Sequence, residues 1–307
     1  MKRTHHTNDP AGRTVPASTD EPVYGFGLDA MPLREALARL SGTDVYSERT
    51  SSLALAQFLL PSPGLDWLLE RLILFCNRDD GLDPVDIARF FEYPVEPRHS
   101  RTGRPIARAL ASMSDAMFLA EGFRAAVEGK WTETGHRYET VREWLAKGRS
   151  RAVLDGWLAD LDGAGAIRPG FGRDGFLDVP YQLVHRAASA CRGVRRGSHV
   201  RPAVCYVVFR TADASPEESA ATHAFEENLL GRWTDWVDTD ALEVVLVRVS
   251  VVRCPPPMDG AAASRLFLDI AAGARPYGFD WDGVTLRRLS DVRSAGCGRG
   301  DETTAAD

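Results

Sequence analysis

Residues 203–209 read AVCYVVF, residues 215–233 read SPEESAATHAFEENLLGRW, and residues 242–252 read LEVVLVRVSVV. The outer two are short β-branched runs, the first bounded by Pro202 and Thr211, and both read as buried strands. Between them Ser215 is placed to cap a helix and Pro216 to open it, with Glu217 and Glu218 facing the positive end of its dipole. Strand, helix, strand predicts a βαβ unit, as a parallel pair or a split ferredoxin-like arrangement. SRLFLDIAAGA (264–274) adds a helix, and FDWDGVTLRRL (279–289) a terminal hairpin turning at Asp282-Gly283. Residues 203–290 are therefore expected to form an α/β domain.

Upstream the periodicity is helical. Asp29 is a candidate cap for LREALARL (33–40). In LDWLLERLILF (65–75), Leu65, Leu68, Leu69, Leu72 and Phe75 share one helical face. Asp83 and Pro84 read as the cap and first turn of a helix over DIARFFEY (86–93). A helical domain over 21–93 follows. PVEPRHSRTGRP (94–105) has the proline and glycine content of a connection, giving a linker at 94–104. From Ile106 to about Gly129 a longer helix is expected, with Met113, Met117, Phe118 and Phe123 in the core. Residues 1–20 and 291–307 lack periodicity and read as disordered tails.

Residues 137–179 read RYETVREWLAKGRSRAVLDGWLADLDGAGAIRPGFGRDGFLDV. Val141, Trp144 and Leu145 stripe a first helix, which Lys147-Gly148 breaks. Ser150 can cap a second, in which Val153, Leu154, Trp157, Leu158 and Leu161 recur at helical spacing and Gly163 and Gly165 mark the end. RPGFGRDG then supplies a turn between two extended segments. Helix, tight turn, helix and two-stranded wing resembles the winged helix-turn-helix family, with LADLDGAGAI (158–167) at the end of its second helix. The resemblance implies that the second helix lies in a DNA major groove, with the wing on the backbone. It places Arg149, Ser150 and Arg151 at bases or phosphates, and Arg168 and Arg173 in the wing. Residues 105–180 are then a helix plus a winged-helix-like domain.

Charge supports an anionic partner for the middle of the chain. The 37 basic and 43 acidic residues give −6 overall, yet residues 101–202 carry 17 basic and 11 acidic groups. Within residues 181–202, a basic helix or linker, His185, Arg186, Arg192, Arg195, Arg196, His199 and Arg201 occur with no intervening acid. Such a cluster suits phosphate neutralisation. Only Lys2, Lys130 and Lys147 are lysines, and a GC-rich genome accounts for part of that arginine bias.

Common catalytic signatures are missing. The five cysteines form no CxxC pair, which removes zinc-knuckle and thioredoxin-like readings. GFGRDG (170–175) matches a dinucleotide fingerprint in spacing, but FLDVP follows where a helix should open. A kinase loop would need a lysine on the next strand, and none follows Lys147. FDWDGVTL (279–286) resembles the haloacid-dehalogenase nucleophile motif, but only 21 residues remain after it, too few for that fold. Nuclease chemistry built from two acids and a lysine would want a lysine two residues after a strand carboxylate. Glu243 opens a strand but is followed there by Val245, leaving Glu226, Glu227, Asp235, Asp238 and Asp240 as candidate metal-binding acids nearby.

The expectation is an α+β, helix-rich protein: an N-terminal helical domain, a central winged helix, and a C-terminal domain with a βαβ unit. Its expected function is double-stranded DNA binding in regulation or genome maintenance. Arg149, Ser150, Arg151, Arg168, Arg173, Arg192, Arg195, Arg196, His199 and Arg201 are the expected contacts. No catalytic residue, metal or cofactor is assigned. The alternatives are a non-enzymatic interaction protein with a protein partner or a homodimer interface, and a metal-dependent nuclease. The start lacks a signal-peptide core, and no run approaches the roughly 18 apolar residues of a membrane span, so an intracellular location with reduced thiols is expected.

Overall fold

Along residues 203–209 the side chains alternate between two destinations. Val204, Tyr206 and Val208 enter one hydrophobic core, while Ala203, Cys205, Val207 and Phe209 enter another. That alternation is the signature of a strand covered on both faces.

The computed structural model describes residues 22–41, 51–76, 82–100, 102–106, 111–131, 138–256 and 259–292, together with the backbone of a small strand pair, β1 (Thr7–Asn8) and β2 (Thr14–Val15). The rest of the expected 1–20 tail up to Glu21, and residues past Val292, lie outside the described residues.

The elements run β3 (Tyr24–Phe26), β4 (Asp29–Ala30), α1 (Leu33–Leu40), α2 (Ser51–Phe58), α3 (Pro63–Cys76), β5 (Ala88–Val95), β6 (Ser112–Ala120), β7 (Phe123–Lys130), α4 (Val141–Ala146), α5 (Arg151–Ala164), α6 (Tyr181–Cys191), β8 (Arg201–Thr211), α7 (Pro216–Thr234), β9 (Glu243–Arg253), α8 (Gly260–Ala271) and β10 (Gly278–Arg288). Eight strands form one sheet in the order β10-β9-β8-β7-β6-β5-β3-β4. β5, β6 and β7 are an antiparallel meander, β7, β8 and β9 run parallel, and β10 returns antiparallel to β9. Helices α4 to α7 cover one face and share its core, while α1, α2, α3 and α8 cover the other. Both parallel crossovers, β7 to β8 and β8 to β9, place their helices on the same face.

This sheet overturns the helix-rich, three-part expectation. The N-terminal helices cover a sheet to which their own neighbours, β3 and β5, belong. DIARFFEY is mostly strand, and only Pro84–Asp86 make a short 3-10 turn, capped by the Asp83 carboxylate on the Val85 N–H at 3.0 Å. Asp29 lies in β4, and Pro32 occupies the N-cap of α1. The expected helix from Ile106 to Gly129 is instead β6 and β7.

No wing forms. Residues 173–178 are a 3-10 helix, and Ile167 makes only a single bridge, to Val237. The two helices read from 137–179 are real, with Ser150 at the N-cap of α5 and Gly165 closing it at φ +77°. They pack on the sheet through Val153, Leu154, Trp157, Leu158 and Leu161, so the winged helix is replaced by a crossover. The βαβ unit forms as β8–α7–β9, with the Ser215–Glu218 capping box in place. The expected terminal hairpin is one strand, β10, bulged between Asp280 and Thr285.

After β5, residues 96–100 and 102–106 make an excursion bridged at Arg98–Pro105, with the Arg98 backbone lying against α5. A Cβ at Gly156, in the middle of α5, would stand 2.2 Å from the Arg98 carbonyl oxygen. Helix propensity favours Gly156→Ala by about 1 kcal/mol, whereas overpacking costs about 1–3 kcal/mol. Gly156→Ala is therefore expected to lower the stability measured by urea unfolding, and a gain would show that the excursion does not rest on α5.

Candidate functional site

The β6–β7 ladder runs from Ala120–Phe123 to Ala116–Val127 and stops. Beyond it β6 stays with β5 as far as Ser112–Val95, while β7 stays with β8 as far as Lys130–Val208. The two strands part, and a side chain fills the place of the next ladder bond: Asp115 Oδ2 accepts from the Gly129 N–H at 2.8 Å. In a strand a residue's N–H and C=O point to the same side, so the Gly129 carbonyl also faces this opening. Gly129 is closely packed on its other side, where a Cβ would stand 3.2 Å from the Ser51 Cβ of α2.

Across β5, Glu92 lies opposite Asp115 and takes φ +46°, the only positive φ of a non-glycine among the described residues. A left-handed non-glycine costs about 1–3 kcal/mol and persists where surrounding structure enforces it.

Glu128 and Lys130 end β7 on the face that α6 covers. Glu128 Oε1 accepts from Lys130 Nζ at 3.0 Å and from Gln182 Nε2 at 2.9 Å. Its Oε2 lies 2.7 Å from Arg186 Nε. Arg186 Nη1 also donates to Ser112 Oγ, at 3.1 Å, and to the Met113 carbonyl. Ser112 Oγ in turn meets His185 Nδ1 at 2.6 Å. Strands β6 and β7 and helix α6 thus converge through Ser112, Asp115, Glu128, Lys130, Gln182, His185 and Arg186. A further tie, Arg124 Nη2 to the Ser189 carbonyl at 3.0 Å, holds α6 against β7.

The protonation states follow from burial and neighbours. Burial, then the negative charge of Glu128, pushes the Asp115 carboxyl up to about 8. Burial would raise Glu128 as well, but Arg186 and Lys130 outweigh it and hold that carboxyl below its ordinary range. Burial, with the positive Arg186 and Lys130 nearby, drives His185 well below its usual value, so its imidazole is neutral. Tyr206, opposite Glu128 on β8, is fully buried, and its hydroxyl makes no hydrogen bond among the described residues.

This is a pair of acids, one charged and one kept neutral by burial and then by its neighbour, beside an ammonium. Two carboxylates, a strand carbonyl and remaining water or phosphate oxygens suit a hard divalent cation such as Mg²⁺, which rarely takes an all-protein cage. Among the described residues no group of three or more His, Cys, Asp or Glu side chains could hold a metal, so water and substrate would have to complete the shell.

The expected DNA-contact residues are dispersed. Arg149, Ser150 and Arg151 are exposed at the start of α5, and the charge of Arg149 is felt by Tyr181, one residue before Gln182. Arg168 and Arg173 are exposed around the 3-10 helix, with Arg173 paired to Asp155 at 3.3 Å. Arg195, Arg196 and His199 are exposed in the loop after α6. Arg192 is buried in a two-pronged pair with Asp160, at 2.9 and 2.6 Å. Arg201 reaches the Phe75 carbonyl at 2.8 Å and Glu243 at 3.2 Å.

Of the acids expected to bind metal, Glu226 and Glu227 are engaged in ion pairs, and Asp238 accepts from the Asp240 N–H at 3.0 Å. Glu226 is buried against Arg248, Glu227 pairs with Arg287, and Glu243 is buried between Arg201, Arg288 and Ser290. These pairs tie α7, β8, β9 and β10 together.

Sequence reasoning missed Asp115, Glu128, Lys130, Gln182 and the role of Arg186. The signal was present: Glu128-Gly129-Lys130 supplies the carboxylate and lysine two residues apart that Glu243 lacks, and Asp115 precedes it by one hairpin.

Fold and site together define a three-layer α/β/α protein with an acid–acid–lysine centre where two strands part. The chain belongs to the family described as a domain of unknown function, DUF6946, whose model matches residues 35–234, a span that holds the whole site. No curated protein and no solved structure matches the chain significantly. No helix among the described residues is long and apolar enough to cross a membrane.

Removing one partner of a buried ion pair costs about 3–5 kcal/mol. Glu128→Gln, which leaves Lys130 and Arg186 facing each other, is expected to lower the melting temperature sharply. Asp115→Asn imitates the protonated group and should melt near the parent at neutral pH. Equal melting of all three proteins would show that Glu128 is not the counter-ion of this site.

Proposed function

We propose that the protein is a metal-dependent nuclease, hydrolysing phosphodiester bonds in DNA at the centre formed by Asp115, Glu128 and Lys130. The observation that carries this reading is the meeting of Asp115 and Glu128 at the parted ends of β6 and β7, with Lys130 Nζ 3.0 Å from Glu128.

Asp115, Glu128 and the Gly129 carbonyl would hold a divalent cation, which supplies charge stabilisation to a phosphate and lowers the pKa of water. Lys130, held 3.0 Å from Glu128, is placed to donate a hydrogen bond to the attacking water or to a phosphate oxygen. In the reaction a P–O bond forms to water as the P–O bond to the sugar breaks, and the proton that water loses ends on the departing sugar hydroxyl. Gln182 holds Glu128 Oε1 from α6 and so fixes the rotamer of that carboxylate. The cationic stretch over 101–202, with Arg149 and Arg151 exposed at the start of α5 and the charge of Arg149 felt at Tyr181 in α6, supports a polyanionic substrate. Groove readout by a winged helix has no part in this reading.

The test is incubation of plasmid and linear duplex DNA with the purified chain and Mg²⁺ or Mn²⁺. Cleavage that stops with a chelator and falls about 100-fold or more in Asp115→Asn and Lys130→Met is expected. No cleavage of double-stranded DNA, single-stranded DNA or RNA with either cation would overturn the reading.

A further inference from the structure

On Glu128 the oxygen left for a metal is Oε2, and Arg186 stands in front of it. A carboxylate oxygen offers two lone-pair sites. Oε1 already accepts from Lys130 and Gln182, while Oε2 makes no hydrogen bond among the described residues and faces Arg186 Nε at 2.7 Å as a charge contact only. A divalent cation on Oε2 would face the guanidinium across one oxygen atom, in a setting where both side chains are more than nine-tenths buried. Like charges that close and that poorly solvated repel strongly. Arg186 also has a second anchorage that does not involve Glu128, through Nη1 to Ser112 Oγ and the Met113 carbonyl of β6.

From this geometry we infer that Arg186 is the resident counter-ion of the site and that a divalent cation displaces it from Glu128. The inference rests on the nuclease reading of the same residues. Without the cation, Arg186 neutralises Glu128 and lets the centre be buried. With it, Nε leaves Oε2 while Nη1 keeps its hold on β6, so the guanidinium moves without leaving the protein. Arg186 is thus a positioning residue that sets how tightly the centre takes its metal. An arginine that only shaped the site would weaken metal binding when replaced. One that competes for the carboxylate strengthens binding when its charge is removed, and couplings of this kind span about 5–150-fold.

The experiment is calorimetric titration of Mn²⁺ into the full chain and into Asp115→Asn, Arg186→Gln and Arg186→Lys. Asp115→Asn should lose the site. Arg186→Gln should bind Mn²⁺ at least about tenfold more tightly than the parent, and Arg186→Lys should stay near the parent. Unchanged or weaker binding in Arg186→Gln, with Asp115→Asn still inactive in binding, overturns this inference and leaves the site standing. Equal binding by the parent and Asp115→Asn overturns both. Should Arg186→Gln fail to fold, Mg²⁺ titration of the parent with ¹⁵N-labelled arginine decides. An ion-paired Nε–H signal that shifts to saturation is expected, and arginine Nε signals that all stay fixed would contradict displacement.

Discussion

A carboxylate buried under a helix must have its charge answered from within the protein, and Glu128 is such a group. It ends β7, which is buried along its whole length, and its partners come from its own strand and from α6. The pairing of Glu128 with Lys130, Gln182 and Arg186 therefore fixes where α6 lies on the sheet. Arg124 repeats the tie one turn further along α6 through Ser189. Because α6 is the last helix before β8, the same contacts help align the parallel β7–β8 ladder on which the second half of the sheet is built.

The other half of the site arises from what the backbone cannot do. Where β6 and β7 part, Gly129 needs an acceptor for its N–H, and Asp115 provides it at the cost of placing a second acid near Glu128. The positive φ of Glu92, directly across β5, marks the same place as one where regular sheet geometry gives way. Strain in β5, a neutral acid on β6 and a gap in the β6–β7 ladder fall at the same level of the sheet. Local departures of this kind persist where the surrounding structure enforces them, and they cluster at functional sites.

Much of the second half of the fold was legible in the sequence. The β-branched runs of β8 and β9 and the Ser215–Pro216–Glu218 helix start carry their structure locally, and so do α4 and α5. The region that holds the site was not legible. Residues 112–130 mix Met, Ala, Phe and Glu without a two-residue period, because β6 and β7 are covered on both faces and need no polar side. Ala125, Ala126 and Glu128 favour helix in isolation, and sheet pairing overrides them. Taking 106–129 as a helix concealed Glu128-Gly129-Lys130 at a strand end. Glu243, the strand acid whose spacing stands out in the sequence, is a buried structural counter-ion. The wing failed for a related reason: helix–turn–helix spacing in 137–179 is equally the spacing of a crossover that covers a sheet, and only the partner surface separates the two.

Diffraction from crystals soaked in Mn²⁺, with data collected at the manganese edge, addresses the centre itself. An anomalous peak bonded to one oxygen each of Asp115 and Glu128, at about 2.0–2.3 Å, with Arg186 Nε withdrawn from Glu128, is the expected result. A peak at other carboxylates only, with Asp115 still on the Gly129 N–H and Arg186 still on Glu128, would contradict the assignment of this site as a metal centre.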